Sequence, residues 1–316
     1  TIELTDDQIA QIKEGGYTAA ICLHYGGNDW STSQQKGLED TFGELGIEIV
    51  AVTDANFSAE TQVSNIETVM AKKPDILVSI PTDATATADA YKQAAAAGIK
   101  IVFMDQRADG LEAGKDYVSV VSADNYGNGY ASGTVLGDAL GGKGKVAMVY
   151  YDANFAPTNQ RDEGFRDAMK NYPDIEIVTE QGFTDESGCA EQGDAILTQF
   201  PNIDGIYASW DVPMEGVLSA VRAAGMEGKV TLACNDLGNN VAREIASGNI
   251  AGGGAQMPYD QGVAEAKLAA LALLGKETPS YVAVPAETVT HENVLEAYTD
   301  VYHVETPDWL KEAYVE

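Results

Sequence analysis

The side chains that could do chemistry in this chain collect where its apolar runs end. His24, Asn28 and Trp30 follow the run 17–23, and Asp105 and Gln106 follow the run 99–104. Phe155, Asn159 and Arg161 come after 145–150, Trp210 and Asp211 after 203–209, and Asp236 after 230–234, while Gln256 closes the run 250–255. Planar carboxylate, amide and guanidinium groups satisfy several hydroxyls at once, and aromatic rings pack on C–H faces, so this mixture suits sugars and polyols. A buried hydroxyl left unpaired is costly, so such groups must converge. Each residue also has a plainer reading. Asp236 could cap a helix beginning near Asn239, Trp30 and Trp210 could be core, Arg161 could form a helix-surface ion pair, and Asn28 could serve a turn.

Motifs for a reaction fail on inspection. Residues 137–143 have the GxxxxGK spacing, but Gly144 stands where a phosphate-binding loop needs Ser or Thr. The segment also follows a helix and precedes a strand, so no helix N-terminus faces a phosphate. Gly127 and Gly129 begin a GxG with Ser132 in the third glycine position, and close helix packing accounts for it more simply. His24, His291 and His303 are scattered, with no HExxH or Cys/His cluster, so neither a metal site nor a cofactor is expected. There is no GxSxG nucleophile elbow.

The elements that must position these side chains alternate in type. Strands are expected at 17–23, 47–52, 76–80, 99–104 and 118–121, and again at 145–150, 175–180, 203–209, 230–234, 250–255 and 281–284. Between them lie stretches with helical spacing, such as Leu38, Phe42 and Leu45, then Val63, Ile66 and Met70. Strands alternating with amphipathic helices mean parallel sheets covered on both faces. Polar groups at the carboxyl ends of such strands sit where open α/β sheets bind ligands. Pro258, which has no N–H to donate, ends any ladder after Gln256. A crossing near Gln256 and a return near 287–290 give three connections between two domains, with a cleft between them.

The chain of 316 residues exceeds what one core usually serves. Its 19 Lys and Arg against 49 Asp and Glu leave a net charge of -30, which opposes binding to nucleic acid or to anionic membranes. Cys22, Cys189 and Cys234 share no CxxC spacing, and Cys22 and Cys234 read as small buried hydrophobes. No run of 18 apolar residues is present, and the opening Thr1-Ile2-Glu3-Leu4 is not a signal peptide, so an export signal is expected to be removed or absent.

At these residues the chain resembles the periplasmic sugar-binding proteins of the ribose-binding type, the solute receptors of ABC importers. The matching pieces are Ile80-Pro81-Thr82-Asp83, Asp105, Ser122-Ala123-Asp124-Asn125, Arg161-Asp162-Glu163-Gly164-Phe165, Asp236 and Gln256-Met257-Pro258-Tyr259-Asp260-Gln261-Gly262. The resemblance implies an α/β type I periplasmic binding protein fold, two doubly wound parallel-sheet domains joined by a three-stranded hinge. It implies lobes at 1–123 plus 257–288 and at 124–256 plus 289–316. Asn28 matches the first-loop Asn, Trp30 the ring-stacking aromatic, Asp105 the strand-end Asp, Arg161 the second-domain Arg, and Asp236 and Gln256 the last polar contacts. Asn125 matches a hinge crossing. The full ligand-binding set expected is His24, Asn28, Trp30, Asp105, Gln106, Phe155, Asn159, Arg161, Trp210, Asp236 and Gln256.

Departures narrow the ligand. Gln106 stands where ribose-type members carry Arg, with Arg107 one place late; Trp210 replaces an Asn; His24 replaces a small residue. The combination is similar to the branch that takes sugar alcohols and pentoses, and the tryptophan favours a ligand of four or five carbons. The implied protein is no enzyme. It is a monomer in the periplasm or at the outer cell surface, closing over a small sugar or sugar alcohol and presenting it to an ABC transporter permease. Whether a chemoreceptor also reads the closed form is left open.

Three alternatives remain at this point. An effector domain of a LacI-type repressor would carry a helix-turn-helix of about sixty residues, and sixteen residues precede the first strand here. A sugar-processing enzyme would use Asp105 and Asp236 as acid and base. A binding protein for a non-sugar ligand, such as a nucleoside or a furanone, would keep the fold.

Overall fold

Apolar runs too short for helices, each closed by a glycine or polar turn, become the strands of two sheets. The computed structural model describes residues 2–316. Its chain divides into two units, the first running to Ala123 and resuming over Pro258–Val284, the second comprising Asp124–Met257 and Pro285–Glu316.

In the first unit the elements run α1 (Asp6–Gly15), β1 (Thr18–Leu23), α2 (Asp29–Glu44), β2 (Glu48–Asp54), α3 (Ala59–Ala71), β3 (Ile76–Ser79), α4 (Ala88–Ala96), β4 (Lys100–Met104) and β5 (Ser119–Ala123). The second unit continues with α5 (Asn125–Ala139), β6 (Lys143–Tyr151), α6 (Ala156–Met169), β7 (Asp174–Phe183), α7 (Cys189–Gln199), β8 (Gly205–Ala208), α8 (Asp211–Ala223), β9 (Thr231–Cys234), α9 (Asn239–Ala246) and β10 (Gly252–Ala255). Then α10 (Pro258–Leu273) and β11 (Tyr281–Val284) belong to the first unit, and β12 (Glu287–Thr290), α11 (Val294–Tyr302) and α12 (Asp308–Ala313) to the second.

The first sheet has the order β11-β5-β4-β3-β1-β2, parallel throughout. The second has the order β12-β10-β9-β8-β6-β7, parallel except that β12 runs antiparallel to β10. Strand order therefore reverses between β1 and β3 in one sheet and between β6 and β8 in the other. At such a point neighbouring loops diverge and leave a crevice at the carboxyl ends.

Both faces of each sheet are covered. In β1, Ala20 and Cys22 join one core with Leu77, Tyr91, Ile101 and Phe103, while Ala19, Ile21 and Leu23 are buried on the opposite face. The second core centres on Val146, Met148, Phe165 and Tyr207, where Phe165 stacks on Tyr207 at 4.1 Å between ring centroids. Proline placement follows its missing N–H: Pro258 opens α10 and Pro157 lies in the first turn of α6.

The glycines of α5 mark close approach. A Cβ on Gly129 would stand 1.7 Å from the Arg161 carbonyl oxygen, so α5 and α6 touch backbone to backbone. Gly137 packs against the Tyr172 ring, and Gly141 and Gly142 take positive φ in the turn into β6, so the GxxxxGK segment is a helix stop. Cys22, Cys189 and Cys234 are buried and unpaired with one another.

Candidate functional site

In the first unit the loop after β1 carries His24 and Asn28, and Trp30 follows in the first turn of α2. His24 is buried and meets three rings edge-on, Tyr25 and Phe57 at 5.2 Å and Trp30 at 5.7 Å. Tyr25 stacks on Phe57 at 4.4 Å. Asn28 caps α2, its Oδ1 accepting from the Ser31 N–H at 2.8 Å. The plainer reading thus holds for that oxygen, but Asn28 Nδ2 is buried with no hydrogen-bond partner in the protein. Trp30 is buried in the first turn of α2.

Beyond β4, Asp105 has φ +55°, in the left-handed region that Asp tolerates better than most residues. Its Oδ1 accepts from Ser122 Oγ at 3.1 Å, the Ala123 N–H at 3.3 Å and Gln261 Nε2 at 3.5 Å. Gln106 is buried and donates to the Pro81 carbonyl at 2.8 Å, whereas Arg107 is exposed and donates to the Leu111 carbonyl at 3.1 Å.

The second unit repeats the device. Asp236, beyond β9, has φ +69°. It accepts from Arg161 Nη1 at 3.2 Å and from Gln256 Nε2 at 2.7 Å. The Arg161 side chain is 5% exposed and that of Asp236 9%, so this is a buried ion pair rather than a helix-surface one. Arg161 also donates to Asn125 Oδ1 and the Ser209 carbonyl, both at 3.1 Å. The N-cap of α9 is Gly238 with no side-chain cap, so Asp236 does not serve that helix.

Aromatic rings flank this polar group. Tyr151 lies 6.1 Å from Phe155 and 5.6 Å from Trp210, and Phe183 lies 5.2 Å from Trp210. Trp210 Nε1 is buried without a partner. Asn159 is exposed, its amide 3.5 Å from the Ala153 carbonyl. Phe155 and Trp210 sit on the loops after β6 and β8, on either side of the strand-order reversal.

Beneath Arg161 and Asp236 lies a fully buried polar network. Asn235 donates to Tyr207 Oη at 2.9 Å and the Ser209 carbonyl at 3.1 Å, and accepts from Ser132 Oγ at 2.8 Å. Tyr207 and Ser209 hydroxyls donate to Asp162 Oδ1 at 3.1 and 2.7 Å. Burial pushes the Asp162 carboxyl up to about 6, against the pull of those hydrogen bonds and the nearby arginines. Sequence reasoning missed this support, along with Tyr25 and Phe57. The strand-end position of Asn235, beside Asp236, was the available signal.

Each unit thus sets rings and planar hydrogen-bonding groups at the carboxyl ends of parallel strands. Among the described residues, no group of three or more His, Cys, Asp or Glu could hold a metal ion. The sequence matches the periplasmic binding protein domain over residues 2–277. The chain belongs to that family. The similar D-ribose/D-allose-binding protein of Pseudomonas aeruginosa is 29% identical over 273 residues, 83% of each chain. An ABC transporter periplasmic solute binding protein of Actinobacillus succinogenes, solved with bound D-allose, superposes with a TM-score of 0.82 at 29% identity, covering 89% of this chain and 99% of its own. An ABC transporter solute binding protein of Agrobacterium vitis, bound with alpha-D-tagatopyranose, gives a TM-score of 0.83 at 26% identity over 90% of this chain and 99% of its own. The fold of this chain is that of a type I periplasmic binding protein, two α/β units joined by a hinge region.

Proposed function

We propose that this protein is the extracytoplasmic solute receptor of an ABC importer, binding one small carbohydrate and delivering it to the membrane permease. The observation that carries the reading is the doubled strand-end aspartate. Asp105 and Asp236 each take a left-handed backbone, each with donors organised on the carboxylate, beside loops that hold aromatic rings. Carboxylates pre-organised in this way accept from sugar hydroxyls, and ring faces cover C–H surfaces. Asn28 Nδ2 and Trp210 Nε1 supply buried donors for hydroxyl oxygens.

The polar and aromatic groups of each unit are assigned to carbohydrate binding, and closure at the hinge accompanies it. The ligand shifts the protein to the closed state by binding it better than the open one. The bound sugar leaves chemically unchanged, and the protein works as a monomer in the periplasm or at the outer cell surface. A sugar alcohol or pentose is assigned, because Trp210 occupies space that a smaller residue would leave to a larger ligand. The bound D-allose and tagatose of the two similar structures are six-carbon sugars, so size is the decisive variable. Calorimetric titration with erythritol, ribitol, D-ribose, D-allose and D-tagatose tests it: tightest binding in the four- and five-carbon group supports the assignment, and tight binding of hexoses alone overturns it.

A further inference from the structure

Helices α2 and α10 meet at glycine contacts. A Cβ on Gly262 would stand 2.2 Å from the Gln34 carbonyl oxygen, and one on Gly37 2.2 Å from that of Tyr259. Three polar side chains on these helices, Gln34, Gln261 and Glu265, have no exposed surface. Gln34 Nε2 donates to Glu265 Oε1. Gln261, one turn before Glu265 on α10, donates through Nε2 to Asp105 Oδ1 at 3.5 Å.

One oxygen on each of the three remains buried without a donor: Gln34 Oε1, Gln261 Oε1 and Glu265 Oε2. Buried acceptors left unpaired are costly, and an ionised carboxylate with a single hydrogen bond is costlier still. A proton on Glu265 Oε2 relieves both problems, since it removes the charge and turns one acceptor into a donor for an amide oxygen. We propose that Glu265 is held as the neutral acid in the folded protein and serves as a positioning residue for Asp105, acting through Gln261. The positioning role rests on the reading of Asp105 as a ligand contact.

Electrostatics agree with the geometry. Burial pushes the Glu265 carboxyl well above the usual carboxylate range, opposed by the Gln34 hydrogen bond and reinforced by the negative charge of Asp105. A neutral acid can brace Gln261 without setting a second negative charge against Asp105.

Two variants and a spectrum test this. E265Q is isosteric, neutral and retains a donor; E265M has similar length and no donor. Titrated with whichever of ribitol, D-ribose and D-allose binds the parent, E265Q is expected to stay within about threefold of the parent affinity and E265M to lose about tenfold. The infrared difference spectrum between parent and E265Q at neutral pH is expected to show a protonated carboxyl band that the parent has and E265Q lacks. Loss of carboxylate bands instead, or equal weakening by both variants, overturns the proposal. So does a calcium-dependent rise in melting temperature at constant ionic strength that E265Q abolishes, because a cation would then satisfy these oxygens. If E265M does not fold, E265Q and the spectrum still decide. If the parent binds none of the sugars, the ligand reading falls and the positioning role with it, while the spectrum still reports the charge state of Glu265.

Discussion

Asn28 divides its amide between two tasks. Its Oδ1 caps α2 while its Nδ2 is a buried donor with no partner in the protein. Ser caps a helix about as well as Asn, so Asn28→Ser removes the amide donor and keeps the cap without adding charge. The melting temperature of N28S is therefore expected to stay close to that of the parent, while sugar affinity falls about tenfold or more, the value of one hydrogen bond. Parallel melting and titration curves check this, and unchanged affinity would remove Asn28 from the site. Asp162 offers a second reading at this scale. Its folded pKa is raised from 3.8 to about 6 by burial, so its contribution to stability is fully present below 3.8 and is lost as pH rises through about 6. Replacing Asp162 with Asn should flatten that loss, worth about 2–3 kcal/mol, when denaturation midpoints of parent and variant are compared across this range.

At the scale of elements, packing sets how accurately the side chains are held. The contact between α2 and α10 tolerates no side chain at Gly262, whose Cβ would fall 2.2 Å from the Gln34 carbonyl. Gly262→Ala must push the helices apart, costing about 1–3 kcal/mol. The expected result is a lower melting temperature together with weaker sugar binding, because α10 also carries Gln261 to Asp105. A change in neither would show that the contact is slack. Much of this layer was legible beforehand. The apolar runs announced β1, β4 and β9 because fully buried parallel strands read as continuous hydrophobic segments, and Pro258 announced the end of β10. The strand β12 was not legible, since Glu287–Thr290 is a short edge segment in which Val289 alone is buried. The candidate site residues at strand ends were visible as polar groups following apolar runs. Their supports were not: Ser132 meets Asn235 across 103 positions and Gln34 meets Glu265 across 231, distances over which one sequence carries no pairing signal.

For the whole molecule, a receptor must be poised between conformations so that a small ligand can decide between them. The chain crosses between its units after Ala123, after Met257 and after Val284, and each unit has its own core. Ligand that binds only the folded protein stabilises it by mass action, by about 2.7 kcal/mol at one hundred times the dissociation constant. In a chain of this size that raises the melting temperature by several degrees. The most direct test is a thermal-shift panel of tetritols, pentitols, pentoses, hexoses, nucleosides and amino acids, with the effective compound recovered and weighed by mass spectrometry. The account predicts that one or a few small sugars or sugar alcohols raise the midpoint and are recovered unchanged. A shift from nucleosides or amino acids alone, or a sugar recovered in altered form, would contradict it.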